Sequence, residues 1–501
     1  MAGTAASRDV ATQIERALTD AGLTVETIEY DAYLSYPGLI SVDIVAPATE
    51  PLLVTEPPSP LDGDTRDPKL GPGFVAYSAS GDVSAPIVYV NYGLPDDYAK
   101  LAALHVDVRG RLVLARYGHS HRAVKLHTAQ QAGAAGILIY SDPADDGFVR
   151  GETWPKGYWR TRGTDSGVDP GTGTAALLEL GRTLGALRRA GWQPQRTVTL
   201  AFWDAEEFGL IGSTEYAEDR LSALRQGAIC YINTDLYTNG PLDAGGTPSL
   251  RDFLIEVVRD VADGSGTVYD GWRTKDLKPL GSGADFVPFQ DYVGLPTLAI
   301  EFNATGGYTY GPYHSNYDTR GFVERVADPG FQRGAQLVRV LGTTALRLGE
   351  SQILPFRFSH YARKLSEFAD AAAKWGDQVD GVALAPVRAA VERVGAQAAL
   401  VERLIDDRLA RNNTPTADAL RLNDALARLE QRLIDDGQPW YRHVVYGWNI
   451  YSLYDGQPFP GLAEAVRLRD PQRVRREVDR IADALNRMSD GLKEIGELVN
   501  W

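Results

Sequence analysis

Residues 196–237 read RTVTLAFWDAEEFGLIGSTEYAEDRLSALRQGAICYINTDLY. The apolar run RTVTLAFWD predicts a strand, STEYAEDRLSALRQG a helix, and AICYINTDLY a second strand. Strand and helix in alternation predict a mostly parallel, doubly wound sheet, so the fold class is α/β. The flanks agree. TAALLELGRTLGALRRA (174–190) predicts a long helix, and LPTLAIEF (295–302) a strand of the buried type. Ser249 and Asp252 read as an S-x-x-D cap before Phe253, Leu254, Val257, Val258 and Val261.

Working outward, Val10, Ile14, Leu18 and Leu23 predict an amphipathic helix that Gly22 stops. YDAYLSYPGLISVDIVAP (30–47) alternates like strand, and TEPPSPLDGDTRDPKLGPG (55–73) reads as a surface linker that cannot hold a ladder. APIVYVNYG, GRLVLARYG, HRAVKLHTAQQAGA and GILIYSD then predict a compact insert of short strands around a helix. From about 352 the pattern is helical almost throughout, as in Val391, Val394, Ala398, Val401, Leu404 and Ile405, an all-α tail that packs on the rest or on a second subunit. No heptad array or internal repeat is visible. The expected divisions are 1–71, 72–160, 161–351 and 352–501.

At 501 residues the chain has room for several domains. Lys and Arg total 51 against 66 Asp and Glu, a net charge of −15, which argues against a phosphate-backbone partner; nucleic acid is not expected. The one cysteine, Cys230, excludes an internal disulfide and a zinc ribbon, so carboxylates and histidines must bind any metal. No apolar run is long enough to span a membrane, and MAGTAASRDV lacks the pattern of a signal peptide.

The sharpest chemical signal is Glu206-Glu207, two adjacent acids at the end of an apolar strand, where open α/β sheets place their ligand sites. Bracketed by LAFW and FGLIG, the pair is costly unless a cation compensates it. Asp235 ends the next strand, Asp169 precedes a helix in GVDPGTGTAALLEL, and His314 follows the LPTLAIEF strand in a loop. Asp, Glu and His at sheet-end loops suit zinc with an open water position. Gly171-x-Gly173-x-x-Ala176 fits a dinucleotide fingerprint, but TRGTDSGVDP before it is no strand; LGSGAD lacks the first glycine of a serine-hydrolase elbow.

WDAEEFGLIGSTEYAE, GVDPGTGTAALLE, INTD, LGSGADF and GPYHSNYDT together resemble the M28 zinc peptidases, in the glutamate carboxypeptidase II and transferrin receptor branch. RYGHSHRAVKLHTAQQAGAAGILIYSDPAD resembles that branch's protease-associated domain, and WYRHVVYGWNIYSLYDGQPFPG its helical dimerisation domain. The resemblance covers nearly the whole chain. It implies a phosphorylase/hydrolase-like doubly wound zinc peptidase core, a β-rich insert, an all-α dimerisation domain, a homodimer and a peptide substrate. It makes Glu206 the general base on metal-bound water, and Glu207 and His314 ligands of the first zinc. Asp169 becomes the bridging carboxylate, Asp235 a ligand of the second ion, and Tyr313 the hydrogen-bond donor to the oxyanion. Ser282 and Gly283 match the cleft-lining backbone, with Arg122 and Tyr454 on the substrate. Members are commonly secreted or membrane-anchored.

The sequence departs from that pattern in WPKGYWRTRGTDSGVDP (154–170), which runs almost directly from one domain to the next. The family's His-x-Asp is missing there, and none of the seven histidines lies between His127 and His314. The first site therefore keeps Asp169, Glu207 and His314, and the second only Asp169 and Asp235, which implies one zinc held well and a weakened second site. His119 and His121, in the turn beside Arg122, are the candidates for rescue. A lost segment also implies an unpaired sheet edge. Leu453 stands where glutamate-specific members carry Lys, and Glu301 and Asn303 where they carry arginines, so a neutral or apolar peptide end is expected. Glu215 and Glu218 match part of the family's calcium site, whose other ligands fall in the missing segment; calcium is not expected. The competing reading is a non-catalytic, dimeric interaction protein like the transferrin receptor. Retention of Glu206, Glu207, Asp235, Asp169, Tyr313 and His314 together favours the peptidase.

Overall fold

The computed structural model describes residues 1–157, 159, 171–303, 312–377, 379, 383–411 and 416–499. Helix α1 (Ala5–Asp20) is capped by Thr4, whose hydroxyl accepts the Ser7 N–H at 3.3 Å. Val10 of the expected apolar stripe is exposed; Leu18 and Ala21 are the buried positions. They dock on a helix where Gly181 and Gly185 supply the groove, and a side chain at Gly185 would overlap the Ala21 carbonyl. Residues 30–47, expected as strand, form only the pair Asp43–Ile44 against Glu50–Pro51. The segment 55–73 corrects the expectation of a surface linker: Glu56, Ser59, Asp62 and Thr65 are buried, because their polar groups are bonded within the segment and to residues 316–319.

Strands β1 (Ile87–Tyr89), β2 (Leu112–Arg116) and β3 (Gly136–Tyr140) form a parallel sheet in that order, with helices α2 (Pro95–Ala103) and α3 (Arg122–Gln131) between them. This is the expected insert, with its own core of Val88, Val90, Val113, Ala115 and Ala129.

Helix α4 (Gly171–Arg189) opens the central part of the chain. Helices α5 (Ile211–Asp219) and α6 (Leu221–Gly227) divide at Arg220 what the sequence reads as one helix. Strand β4 (Tyr231–Asn233), strand β5 (Leu242–Gly246), helix α7 (Arg251–Asp260), strand β6 (Thr297–Phe302) and helix α8 (Gln332–Glu350) complete it. The sheet runs β4-β6-β5, with β6 parallel to β4 and antiparallel to β5. Residues 197–203, expected as strand, join no ladder among the described residues, since no strand lies alongside to bond them. The Ser249 cap is also corrected: Ser249 sits in a 3-10 turn started by Pro248, and α7 begins without a side-chain cap.

The C-terminal region holds α9 (Ser359–Ala373), α10 (Ala385–Ala410), α11 (Thr416–Ala427), α12 (Pro460–Arg467) and α13 (Pro471–Val499). The expected residues Val391, Val394, Ala398, Val401 and Ile405 bury one face of α10 in a core shared with Leu485, Met488, Leu492 and Ile495 of α13. Residues 434–459 break the helical pattern and loop back onto the core, where Asp455 bridges Leu280. Among the described residues no helix is long and apolar enough to cross a membrane.

Candidate active site

Glu206 and Glu207 occupy a single 3-10 turn, entered at Ala205 with φ +60° and left at Gly209 with φ +115°. A non-glycine residue in the left-handed region is held only by its surroundings. Here the amides of Leu210, Ile211 and Gly212 donate to Glu206 O (2.7 Å), Ala205 O (3.2 Å) and Asp204 O (3.1 Å), tying the turn to the start of α5. Gly212 permits this approach, since a Cβ there would stand 2.6 Å from the Asp204 carbonyl.

Asp235 lies two positions past β4, where its Oδ2 accepts from Asn233 Nδ2 at 2.8 Å. The Gly173 amide of α4 donates to Asp235 O at 3.0 Å, and a side chain at Gly173 would overlap that carbonyl. Helix-to-strand contact thus explains the glycine at 173. Asp169, two positions ahead of α4, lies outside the described residues.

His314 is buried with φ +55°, and its Nε2 lies 2.9 Å from Glu207 Oε1. Its ring stacks on that of Tyr313, with centroids 3.7 Å apart. Arg122 arrives from the insert: Nη2 is 3.9 Å from Glu207 Oε2, and Nη1 donates to the Tyr454 hydroxyl at 3.4 Å. The His121 ring meets Tyr454 edge-on at 5.1 Å. Ser282 donates its amide to Leu453 O at 2.8 Å, and Gly283 faces the Tyr454 ring, which a Cβ would approach to 2.6 Å. Two segments distant in sequence therefore meet at Glu207, the insert turn and the His314 loop, and the C-terminal turn joins them through Arg122.

The site is rich in carboxyls. Burial, then Glu207, Asp285 and Asp235, push Glu206 well above the usual range, while Arg122 opposes them. Burial and Asp285 raise Asp235 to about 7, and burial raises Asp285 to about 6. Burial and then Asp235 raise Glu301 to about 8. Burial also pushes Glu207 up, but the hydrogen bond to His314 and the charges of His314 and Arg122 bring it below the ordinary value. Such a donor set of oxygens beside an imidazole fits a divalent cation, which compensates charges that crowd one another. Glu207 and His314 are a convergent pair; among the described residues no three His, Cys, Asp or Glu side chains come together as a metal-binding group.

The candidates for rescue fare differently. His119 packs on Tyr92 with centroids 4.1 Å apart. His121 approaches the site, and burial, with Arg122 and His314, lowers it to about 3, so it is neutral. Its Nδ1 accepts the Ala123 amide at 3.1 Å, so the ring proton sits on Nε2, which then has no lone pair to offer. Sequence reasoning passed over Asp285, buried and accepting from the Ser213 hydroxyl. An acid wedged between Gly281-x-Gly283 and the apolar FVPF was the available signal. It also passed over Lys125, fully buried in α3, whose Nζ donates to Tyr92 O (2.6 Å) and Gly118 O (2.7 Å) and so ties down the turn that presents Arg122.

Three family descriptions match the chain: the PA domain over 83–172, peptidase family M28 over 157–333, and the transferrin receptor-like dimerisation domain over 357–493. A probable glutamate carboxypeptidase, LAMP1 of Arabidopsis thaliana, is 28% identical over 640 aligned positions, covering 100% of this chain and 92% of the relative. Aminopeptidase NAALADL1 of Rattus norvegicus is 26% identical over 608 positions, covering 88% and 81%. The first alignment is longer than the 501 residues of the chain, so that relative carries residues this chain lacks. The solved aminopeptidase from Aneurinibacillus sp. strain AM-1 overlaps 70% of this chain and 90% of its own at 18% identity, with a TM-score of 0.42. Over 157–333 the chain thus carries a peptidase family M28 domain, joined to a PA domain and a transferrin receptor-like dimerisation domain.

Proposed function

We propose that this peptidase is a zinc-dependent exopeptidase of small peptides, with its chemistry at Glu206, Glu207 and His314. The observation that carries the reading is the 2.9 Å contact between Glu207 and His314, made beside Glu206 by two segments far apart in sequence. Glu207, His314 and Asp169 would hold the ion, and Asp169 with Asp235 a weaker second one. Bound zinc supplies Lewis acidity, acidifying water and polarising a carbonyl. Glu206 takes the proton from the attacking water and returns it to the leaving amine; burial and its acidic neighbours raise its proton affinity. Arg122 limits that rise, and against burial the hydrogen bond and charge of His314, then Arg122, hold Glu207 below the ordinary carboxylate value.

Tyr313 donates to the oxyanion, its ring stacked on that of His314. Arg122 offers a guanidinium to a peptide carboxylate, while Leu453 beside Tyr454 makes the far wall apolar. Ser282 and Gly283 line the cleft between them. We further propose the divisions 1–71, 72–160, 161–351 and 352–501, a homodimer through the helical domain, and a secreted or extracellular setting. The deciding experiment is a panel of Leu-ended and Glu-ended dipeptides assayed with and without added zinc. Zinc-stimulated cleavage that prefers the Leu-ended members supports the reading, and a clear preference for Glu-ended ones contradicts it.

A further inference from the structure

The loop carrying His314 is bonded to a segment more than two hundred and fifty residues earlier in the chain. Glu56 Oε2 accepts the Asn316 amide at 2.5 Å, Pro57 O accepts the Tyr317 hydroxyl at 2.7 Å, and Asp62 accepts the Thr319 hydroxyl. The segment is itself knit together: Ser59 N–H donates to Thr65 Oγ (2.8 Å) and Thr65 Oγ donates to Asp62 O (2.7 Å). Glu56 is 8% exposed and Asp62 4%. Three prolines in residues 57–60 restrict the unfolded chain, so ordering this stretch costs less entropy than it would for a flexible linker.

What the strap holds is strained. His314 has φ +55°, a conformation that a bulky non-glycine residue keeps only where neighbours over-determine it. Ser315 closes a turn onto Pro312 O through both its amide (3.0 Å) and its hydroxyl (2.6 Å). That turn fixes the His314 backbone from within, and the Asn316 amide is the next donor along the chain. Glu56 takes that donor, so a buried carboxylate fixes the loop two positions from the ring that meets Glu207. Groups that orient metal-ligating side chains from behind commonly set metal affinity and turnover.

We propose that residues 56–65 form a strap on the ligand loop, with Glu56 as a positioning residue that acts through the Asn316 amide to hold His314 toward the metal. The proposal rests on the metallopeptidase reading above. It is tested on the full chain with Glu56→Ala and Glu56→Gln, the latter keeping an oxygen acceptor. Three readouts are compared with the parent: zinc affinity by chelator competition, hydrogen exchange over 312–321 in zinc-free protein, and kcat and KM on a cleaved dipeptide. In Glu56→Ala, zinc affinity is expected to fall about 10- to 100-fold, exchange over 312–321 to accelerate, and kcat to fall with KM nearly unchanged; Glu56→Gln recovers most of each. Zinc affinity within about twofold of the parent with unchanged exchange would overturn the proposal, as would a Glu56→Gln variant as impaired as Glu56→Ala. If Glu56→Ala does not fold, Thr319→Val cuts the Asp62 anchor instead; weaker zinc binding and faster exchange are again expected, and parent-like values of both overturn the proposal. A parent that takes up no zinc contradicts the metallopeptidase reading, while the exchange comparison still decides whether the strap holds the loop.

Discussion

Replacing Gly283 by alanine adds one methyl group where the peptidase loop meets the C-terminal turn. Gly283 has φ +94°, and a Cβ there would stand 2.6 Å from Tyr454 Cε1 and 2.7 Å from Cδ1. The left-handed backbone costs a side-chain-bearing residue about 1–2 kcal/mol. Overpacking adds about 1–3 kcal/mol, and this second part acts to push the tyrosine ring aside. Tyr454 holds the Arg122 guanidinium through its hydroxyl and the His121 ring through its edge, and the displacement therefore moves the proposed substrate wall as a unit. About 1.4 kcal/mol is tenfold in affinity, so the lower bound of the overpacking alone predicts a KM for a cleaved dipeptide raised by about fivefold or more. The control is Gly191→Ala, at φ +99° with nothing within 4 Å of its Cβ, which takes the backbone strain alone and should leave KM unchanged. A Gly283→Ala enzyme with KM within about twofold of the parent and an unchanged melting temperature would refute the packing argument.

Further predictions concern the seams that hold the domains. Burial pushes Asp276 up, but the bond and charge of His360, with Lys364, bring it down to about 2. A depressed carboxyl stabilises the fold above its unfolded value and loses that contribution as pH falls through the folded one. Asp276→Asn should therefore lower the melting temperature at neutral pH, the deficit shrinking between about pH 4 and pH 2; a deficit independent of pH would contradict this. Within the helical domain, Glu430 accepts from Tyr361 (2.7 Å) and from His443 Nε2 (3.0 Å), whose Nδ1 is occupied by the amides of Val445 and Tyr446. All three side chains are almost wholly buried, and Glu430→Ala should cost about 3–5 kcal/mol in denaturant unfolding, a loss below about 1 kcal/mol counting against it.

Much of the scaffold was legible because periodicity reports burial directly. The apolar stripes of α4, α7 and α10 and the run in β6 are buried or half-buried as their spacing implies. Residues 197–203 show the limit: alternation marks a strand-like segment, but a ladder depends on a partner, and none stands alongside among the described residues. The strap failed for a different reason. Pro, Asp and Ser read identically whether solvated or bonded to a loop far down the chain, and only three dimensions place Glu56 on Asn316. The site divides the same way. Glu206 and Glu207 were marked by apolar flanks and His314 by its place in a loop after a buried strand, whereas Arg122 and Tyr454 reached the site through motif resemblance, because no sequence spacing relates residues 122, 207, 314 and 454. Asp285 and Lys125 were missed since each sits inside an otherwise ordinary apolar or helical pattern.

The most direct test of the central claim is zinc titration into chelator-treated protein while hydrolysis of a Leu-ended dipeptide is followed, for the parent and for Glu206→Gln. Activity should return with about one equivalent of zinc, three protein ligands being the usual complement of a catalytic site. The variant should take up zinc like the parent and lose about 100- to 10,000-fold in kcat. Failure to bind zinc, two tightly held ions per chain, or a Glu206→Gln enzyme with undiminished turnover would contradict the account.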